Sequence, residues 1–241
     1  MTYCVAIKVN AGLVFCSDSR TNAGVDQVST YSKMYHFGIQ GERQLVINSA
    51  GNLATTQSVI ARIRKDIKDG ADESLATLEN MHDCADYLGD VSQQVQEKHG
   101  SNGIFEASFL IGGQIGADSP SVMLVYPQGN HITTSAQTPY LQIGESKYGK
   151  PILDRIISPT TSLETAALCA LVSMDSTMRS NLTVGPPIEL MSYATNSGFM
   201  KHSVFNPDDV YLKEITKSWD KLIVEAFLRL PAIGSLPTPD Q

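Results

Sequence analysis

The stretch Thr2-Tyr3-Cys4-Val5-Ala6-Ile7-Lys8-Val9-Asn10-Ala11-Gly12-Leu13-Val14-Phe15-Cys16-Ser17-Asp18 decides the reading of the whole chain. Tyr3, Val5, Ile7 and Val9 alternate with Thr2, Cys4, Ala6 and Lys8, a period of two that predicts a strand. Asn10-Ala11-Gly12 is a turn signal. Leu13 to Asp18 then returns as a second, antiparallel strand of a tight hairpin. The chain therefore opens on a hairpin with a threonine at the very start of its first strand and a carboxylate at the end of its second.

Outward from this hairpin the pattern repeats in sets. Residues 33–39 and 43–49 predict another hairpin, with Gly38 and Gly41 marking its turn. Leu53, Thr56, Ile60, Ile63 and Ile67 step by three or four, which predicts a helix with one buried stripe, ended by Gly70. Asp72 is the expected cap of a second helix with the stripe Leu75, Leu78, Met81, Ala85, Leu88, Val91 and Val95. Its other face is acidic and amide-rich and reads as solvated surface, with the outer helices as candidate contact surfaces. Further strands are predicted near 105–112, 121–126, 131–135 and 140–143. Helices follow near 150–157 and 162–179, the latter with Leu163, Ala167, Leu171, Met174 and Met178 on one stripe. Strands return near 187–194 and 209–215. A terminal helix near 217–229 is expected to bury Trp219, Ile223 and Phe227. The tail 231–241 holds three prolines and reads as loosely ordered. Antiparallel strand sets alternating with helix sets predict an α+β fold, a four-layer α-β-β-α sandwich of two antiparallel sheets. Without a linker or a repeat, residues 1–241 read as one domain.

Composition narrows the function classes. Of 241 residues, 42% are hydrophobic and 18% charged, as in a globular protein rather than a disordered one. The formal net charge of −7 argues against a nucleic-acid partner or an anionic membrane surface. No apolar run approaches the roughly 20 residues of a membrane span, and Met1-Thr2-Tyr3-Cys4 lacks the basic and apolar regions of a signal peptide. The expected location is cytoplasmic. The four cysteines, Cys4, Cys16, Cys84 and Cys169, form no CxxC pair and read as reduced, mostly buried thiols. The five histidines are scattered without metal-ligand spacing, so neither a metal nor another cofactor is expected.

The chemistry begins at Thr2. A small second residue permits removal of Met1, with no propeptide to cleave. The new terminus would carry a hydroxyl nucleophile and an α-amine whose ordinary pKa, near 8, suits a general base. Alone this signal is weak, because Met-Thr is an ordinary way to start a chain. Asp18 and Lys33 strengthen it: at neighbouring strand ends they can face the first residue of the first strand. Asp18 would keep Lys33 charged, and Lys33 would lower the pKa of the Thr2 hydroxyl and amine. A bare like charge about 4 Å away is worth up to roughly 4 kcal/mol at an effective dielectric near 20. Asp18 offsets much of that, so the pair tunes the site rather than dominating it. The plain alternative is a strand-end salt bridge worth under about 1 kcal/mol if exposed.

This ordered set resembles the proteasome β-subunit family of N-terminal-nucleophile hydrolases. The likeness lies in Thr2, Asp18-Ser19-Arg20 with a following Gly24, Lys33 in Tyr31-Ser32-Lys33-Met34, Ser49-Ala50-Gly51-Asn52-Leu53-Ala54, and Gly144-Glu145-Ser146-Lys147-Tyr148-Gly149. It covers residues 2 to about 228. The resemblance implies a threonine-type peptidase that cleaves amide bonds of peptides or unfolded proteins, with Thr2 as nucleophile, Asp18 orienting Lys33, and Gly51 donating its N–H to an oxyanion. It leaves the base open between the Thr2 amine and a transiently neutral Lys33. The family's serine beside the amine matches Ser146, with Glu145 competing for the place. Thr21, Asn22, Ser32, Ser49 and Leu53 are implied to touch the substrate side chain. Self-association into a ring or a helical assembly is implied too, whereas an ATPase partner leaves no mark in the sequence. Two departures stand out. The Thr-to-Lys spacing is one residue short, and the family's later Asp and Ser are replaced by Asn181 and by Thr183 or Val184. They keep open a catalytically weak or inactive scaffold subunit, and the fold leaves room for an amidase of small substrates.

Overall fold

In chain order the computed structural model contains β1 (Tyr3–Val9), β2 (Gly12–Asp18), β3 (Arg20–Asn22), β4 (Val28–Thr30), β5 (Met34–Ile39), β6 (Arg43–Gly51), α1 (Leu53–Asp69) and α2 (Met81–Glu97). There follow β7 (Ala107–Ile115), β8 (Ser121–Val125), β9 (His131–Thr133), β10 (Tyr140–Gly144), α3 (Ser146–Ile156), α4 (Leu163–Ser180), β11 (Ile188–Ala194), β12 (Lys201–Phe205) and α5 (Val210–Leu228). The structure describes residues 1–22, 28–98 and 103–231; Gly24 and the tail beyond Pro231 lie outside the described residues.

The opening hairpin forms as read, with Val9 opposite Gly12 and Cys4 opposite Ser17. It is the middle of an antiparallel sheet ordered β10-β1-β2-β11-β12. A second antiparallel sheet runs β5-β6-β7-β8-β9. The two sheets face each other across a core of Cys4, Ala6, Leu13 and Phe15 from one and Val46, Leu110 and Val122 from the other. Helices α1 and α2 cover the outer face of the second sheet, where Ile60, Ile63 and Leu88 meet Leu45, Ile47, Phe109 and Ile111. Helices α3 and α4 cover the outer face of the first. The predicted four-layer α-β-β-α sandwich is thus the observed one. Both faces of β1 and β2 are covered, which is why, Lys8 and the closing Asp18 apart, even the intervening positions are small or apolar.

Several local readings are corrected. Asp72 does not cap α2: the helix begins at Met81, with Asn80 Oδ1 accepting from the Asp83 N–H at 3.0 Å. Helix α3 begins at Ser146, not near 150, and carries Pro151 inside it. Helix α4 is buried continuously from Cys169 to Asp175 rather than on the one stripe expected, because it packs against both α3 and the sheet. Leu163, Ala167 and Met178 are only partly buried. A short hairpin, β3 with β4, was not foreseen. Residues 209–215 are not a strand; β12 is the missed edge strand, its polar Lys201-His202-Ser203 pattern giving no alternation.

The chain divides into two compact units, Met1–Pro207 and Asp208–Gln241. The second holds α5, whose N-cap Asp209 accepts from the Leu212 N–H at 3.0 Å. Leu212 and Ile215, three apart, are buried, a helical spacing rather than a strand alternation. The expected burial farther along fails: Ile223 is 50% and Phe227 71% exposed, and Trp219 is only partly buried. Among the described residues no helix is long and apolar enough to cross a membrane.

Candidate active site

Thr2 lines a cavity of about 400 Å3, and the sandwich explains why. Three strand ends converge there: the start of β1, the end of β2 and the start of β5. Asp18, the last residue of β2, is fully buried. Its Oδ1 accepts from the Tyr3 N–H at 3.0 Å and from Lys33 Nζ at 2.7 Å, and its Oδ2 accepts from the Gly185 N–H at 3.3 Å. Lys33 is 6% exposed, and its ammonium also donates to the Arg20 carbonyl at 2.7 Å. One carboxylate thus ties the backbone just after Thr2 to a buried cation. Burial pushes the Asp18 carboxyl above its usual range, while Lys33 and the two backbone N–H groups pull it back.

The loop before β11 buttresses this arrangement. The Gly185 carbonyl accepts from the N–H groups of Ser19 and Arg20 at 3.3 and 3.2 Å, and Arg20 Nη1 donates to the Leu182 carbonyl at 2.7 Å. Asn181 and Thr183, which stand where the resemblance leads one to expect Asp and Ser, engage each other instead. The Asn181 Oδ1 accepts from the Thr183 N–H at 3.0 Å and from its hydroxyl at 2.6 Å.

Across the cavity lies the end of β6. The Asn52 N–H donates to the Glu106 carbonyl on the β7 side at 2.9 Å, and the Ser49 N–H to the Lys33 carbonyl on the β5 side at 2.9 Å. N–H groups alternate sides along a strand, so that of Gly51 is turned to the β5 side, just beyond where β5 begins. Gly51 has φ +113°, and a Cβ there would run into the Glu106 carbonyl, so only glycine fits this approach. Gly144 plays a matching part under Thr2. It pairs with Tyr3, has φ +82°, and a Cβ would collide with the Thr2 carbonyl. The next residue, Glu145, donates its N–H to that carbonyl at 2.8 Å.

The cavity is lined by Thr2, Thr21, Ser32, Lys33, Ser49, Gly51 and Leu53 from the residues read in the sequence. It gathers Tyr35, Ala50, Thr56, Gly144 and Glu145 as well. The Thr21 hydroxyl is buried with no hydrogen-bond partner among the described residues. Ser146 is not in the lining; it opens α3, and its carbonyl accepts from Gln142 Nε2 at 3.2 Å. Asn22 ends β3, and its side chain lies outside the described residues. Tyr35 and Thr56 gave no signal in sequence, since both read as members of strand or helix patterns. No thiol competes as nucleophile among the described residues: burial pushes Cys4, Cys16, Cys84 and Cys169 all upward.

A two-sheet sandwich with a threonine, a buried Asp–Lys pair and a cavity-lining glycine at one end has the architecture of the N-terminal-nucleophile hydrolases. The family model "Proteasome subunit" matches residues 2–191, and the chain belongs to the proteasome subunit family. Among solved structures it is similar to Anbu (ancestral beta-subunit) from Yersinia bercovieri, with 44% identity, TM-score 0.93, and 97% of this chain and 100% of that one covered. The helical assembly of the Anbu complex from Pseudomonas aeruginosa matches at 43% identity and TM-score 0.91, over 97% and 98% of the two chains. An Anbu (Gly-1) mutant from Hyphomicrobium sp. strain MC1 matches at 38% identity and TM-score 0.92, over 98% and 100%. A comparison with curated proteins returned no match.

Proposed function

We propose that this chain is a threonine-type peptidase, acting on peptides or unfolded proteins once Met1 is removed and working as a self-assembled oligomer. The observation that carries this reading is the Lys33 ammonium, held 2.7 Å from Asp18 Oδ1 and bordering the same cavity as Thr2 and Gly51. The pair borders the threonine's cavity; Asp18 offsets much of the Lys33 field there, and what remains tunes the Thr2 hydroxyl and amine. Small side chains in the lining, Thr21, Ala50 and Thr56, leave room for a substrate side chain beside Leu53.

With Met1 in place the Thr2 nitrogen is an amide and cannot serve as a base. After its removal, Thr2 Oγ attacks the scissile carbonyl carbon as its proton passes to the Thr2 amine. The carbonyl oxygen becomes an oxyanion that receives the Gly51 N–H. Collapse breaks the C–N bond, and the protonated amine returns its proton to the leaving nitrogen. An ester of Thr2 remains. Water, deprotonated by the same amine, then attacks the ester and releases the acid, restoring Thr2. The mutual engagement of Asn181 and Thr183 favours a second reading, a weak or non-catalytic ring subunit.

The test uses the Met-free chain, verified by intact mass, against a library of quenched peptides. Thr2→Ala is expected to reduce turnover at least about 1000-fold with an unchanged circular dichroism spectrum. Full turnover in that variant, or a chain that retains Met1 in its host, sinks the peptidase reading.

A further inference from the structure

Glu145 is 9% exposed and lines the cavity that holds Thr2 and Lys33. It occupies the N-cap position of α3, yet its side chain makes no cap hydrogen bond. No other hydrogen bond or ion pair of its carboxylate occurs among the described residues. The residue is mostly buried while its carboxylate oxygens stay open to the cavity, and an unpaired carboxylate there favours a cation placed beside it. Lys33 is already committed to Asp18 Oδ1 and the Arg20 carbonyl. The cation that the mature chain adds at this place is the α-ammonium of Thr2. The backbone brings the two together: the Glu145 N–H bonds the Thr2 carbonyl at 2.8 Å, and Gly144 closes directly on the same peptide.

We infer that Glu145 is a positioning residue that pairs with the Thr2 α-ammonium after Met1 is removed, orienting the amine and strengthening it as a base. This rests on the proposed threonine-peptidase reading but adds a residue to it. Among the described residues, the titratable groups around the cavity are Lys33 and Tyr35 on the β5 side, with Asp18 behind Lys33, and Glu145 at the β10–α3 turn. Lys33 disfavours a charged amine and Glu145 favours it, so the two hold its proton affinity between them. A serine in that place would offer a hydrogen bond but no charge.

The experiment titrates the amine directly. The rate of acetylation of the Thr2 amine by acetic anhydride is followed by mass against pH in the Met-free full chain, for the parent, Glu145→Gln and Glu145→Asp. The expected result is a midpoint lower by about one pH unit in Glu145→Gln, with most of the parent value kept in Glu145→Asp. The rising limb of kcat/KM should move by the same amount. An unmoved midpoint in Glu145→Gln overturns the inference. If that variant instead loses only the cleavage of peptides with Lys or Arg at the scissile bond, Glu145 faces substrate and the inference is also overturned. A midpoint that moves in a chain with no turnover sustains the pairing and defeats the peptidase reading alone.

Discussion

At the scale of single residues, Asp18 sets the terms of the site. Burial raises its carboxyl above the ordinary range, against the pull of Lys33 and the N–H groups of Tyr3 and Gly185. A carboxyl whose pKa is higher in the folded than in the unfolded chain stabilises the fold most when protonated. That contribution is complete below the unfolded value of about 4 and is lost as pH rises through the folded one. The unfolding free energy of the parent, measured in urea at a series of pH values, should therefore fall relative to that of Asp18→Asn as pH climbs from about 4. Turnover should rise over the same window, because only ionised Asp18 anchors Lys33. A difference curve that is flat with pH contradicts this assignment. Thr2, Asp18, Lys33 and Gly51 were legible in the chain because their chemistry is carried by residue type at strand ends. Glu145 and Ser146 were not separable there. Adjacent residues in a turn face different ways, and only the pairing of Gly144 with Tyr3 fixes which one borders the cavity.

At the scale of elements, the misplaced start of α2 shows what a one-dimensional signal lacks. Asp72 and Asn80 both have cap chemistry. The choice is made by Arg43, whose Nη1 donates to the carbonyls of Leu75 and Leu78 at 3.1 and 2.9 Å. These bonds tie residues 71–80, which are irregular, to β6, and Leu75 is still buried. Asn80→Ala should cost about 1 kcal/mol and Asp72→Ala no more than about 0.5 kcal/mol, compared by thermal and urea unfolding. Equal costs would contradict the cap assigned here. The stripes of α1 and α2 were legible because each meets one sheet face. Helix α4 was not, because it is enclosed by a helix as well as a sheet and has no single polar side to betray its orientation.

At the scale of the whole molecule, the proposed assembly is testable without knowing a substrate. The Pseudomonas aeruginosa relative was solved as a helical assembly. In this chain α5 leaves Leu222, Ile223, Val224, Phe227 and Leu228 exposed, an apolar run of the kind that marks association surfaces. Sedimentation velocity should give a native mass several times 26.1 kDa, falling on dilution. A species that stays at the monomer mass at all concentrations would refute the oligomer. The sequence by itself determined the layers and named the candidate reacting groups. Hydrophobic periodicity is local to each strand or helix, and a nucleophile, a carboxylate and an ammonium are recognisable wherever they stand. Only the tertiary structure decided which side chains share the cavity, where α2 begins and which faces of α4 and α5 are covered. Those outcomes depend on strand register and on contacts between residues far apart in the chain, and no local pattern encodes them.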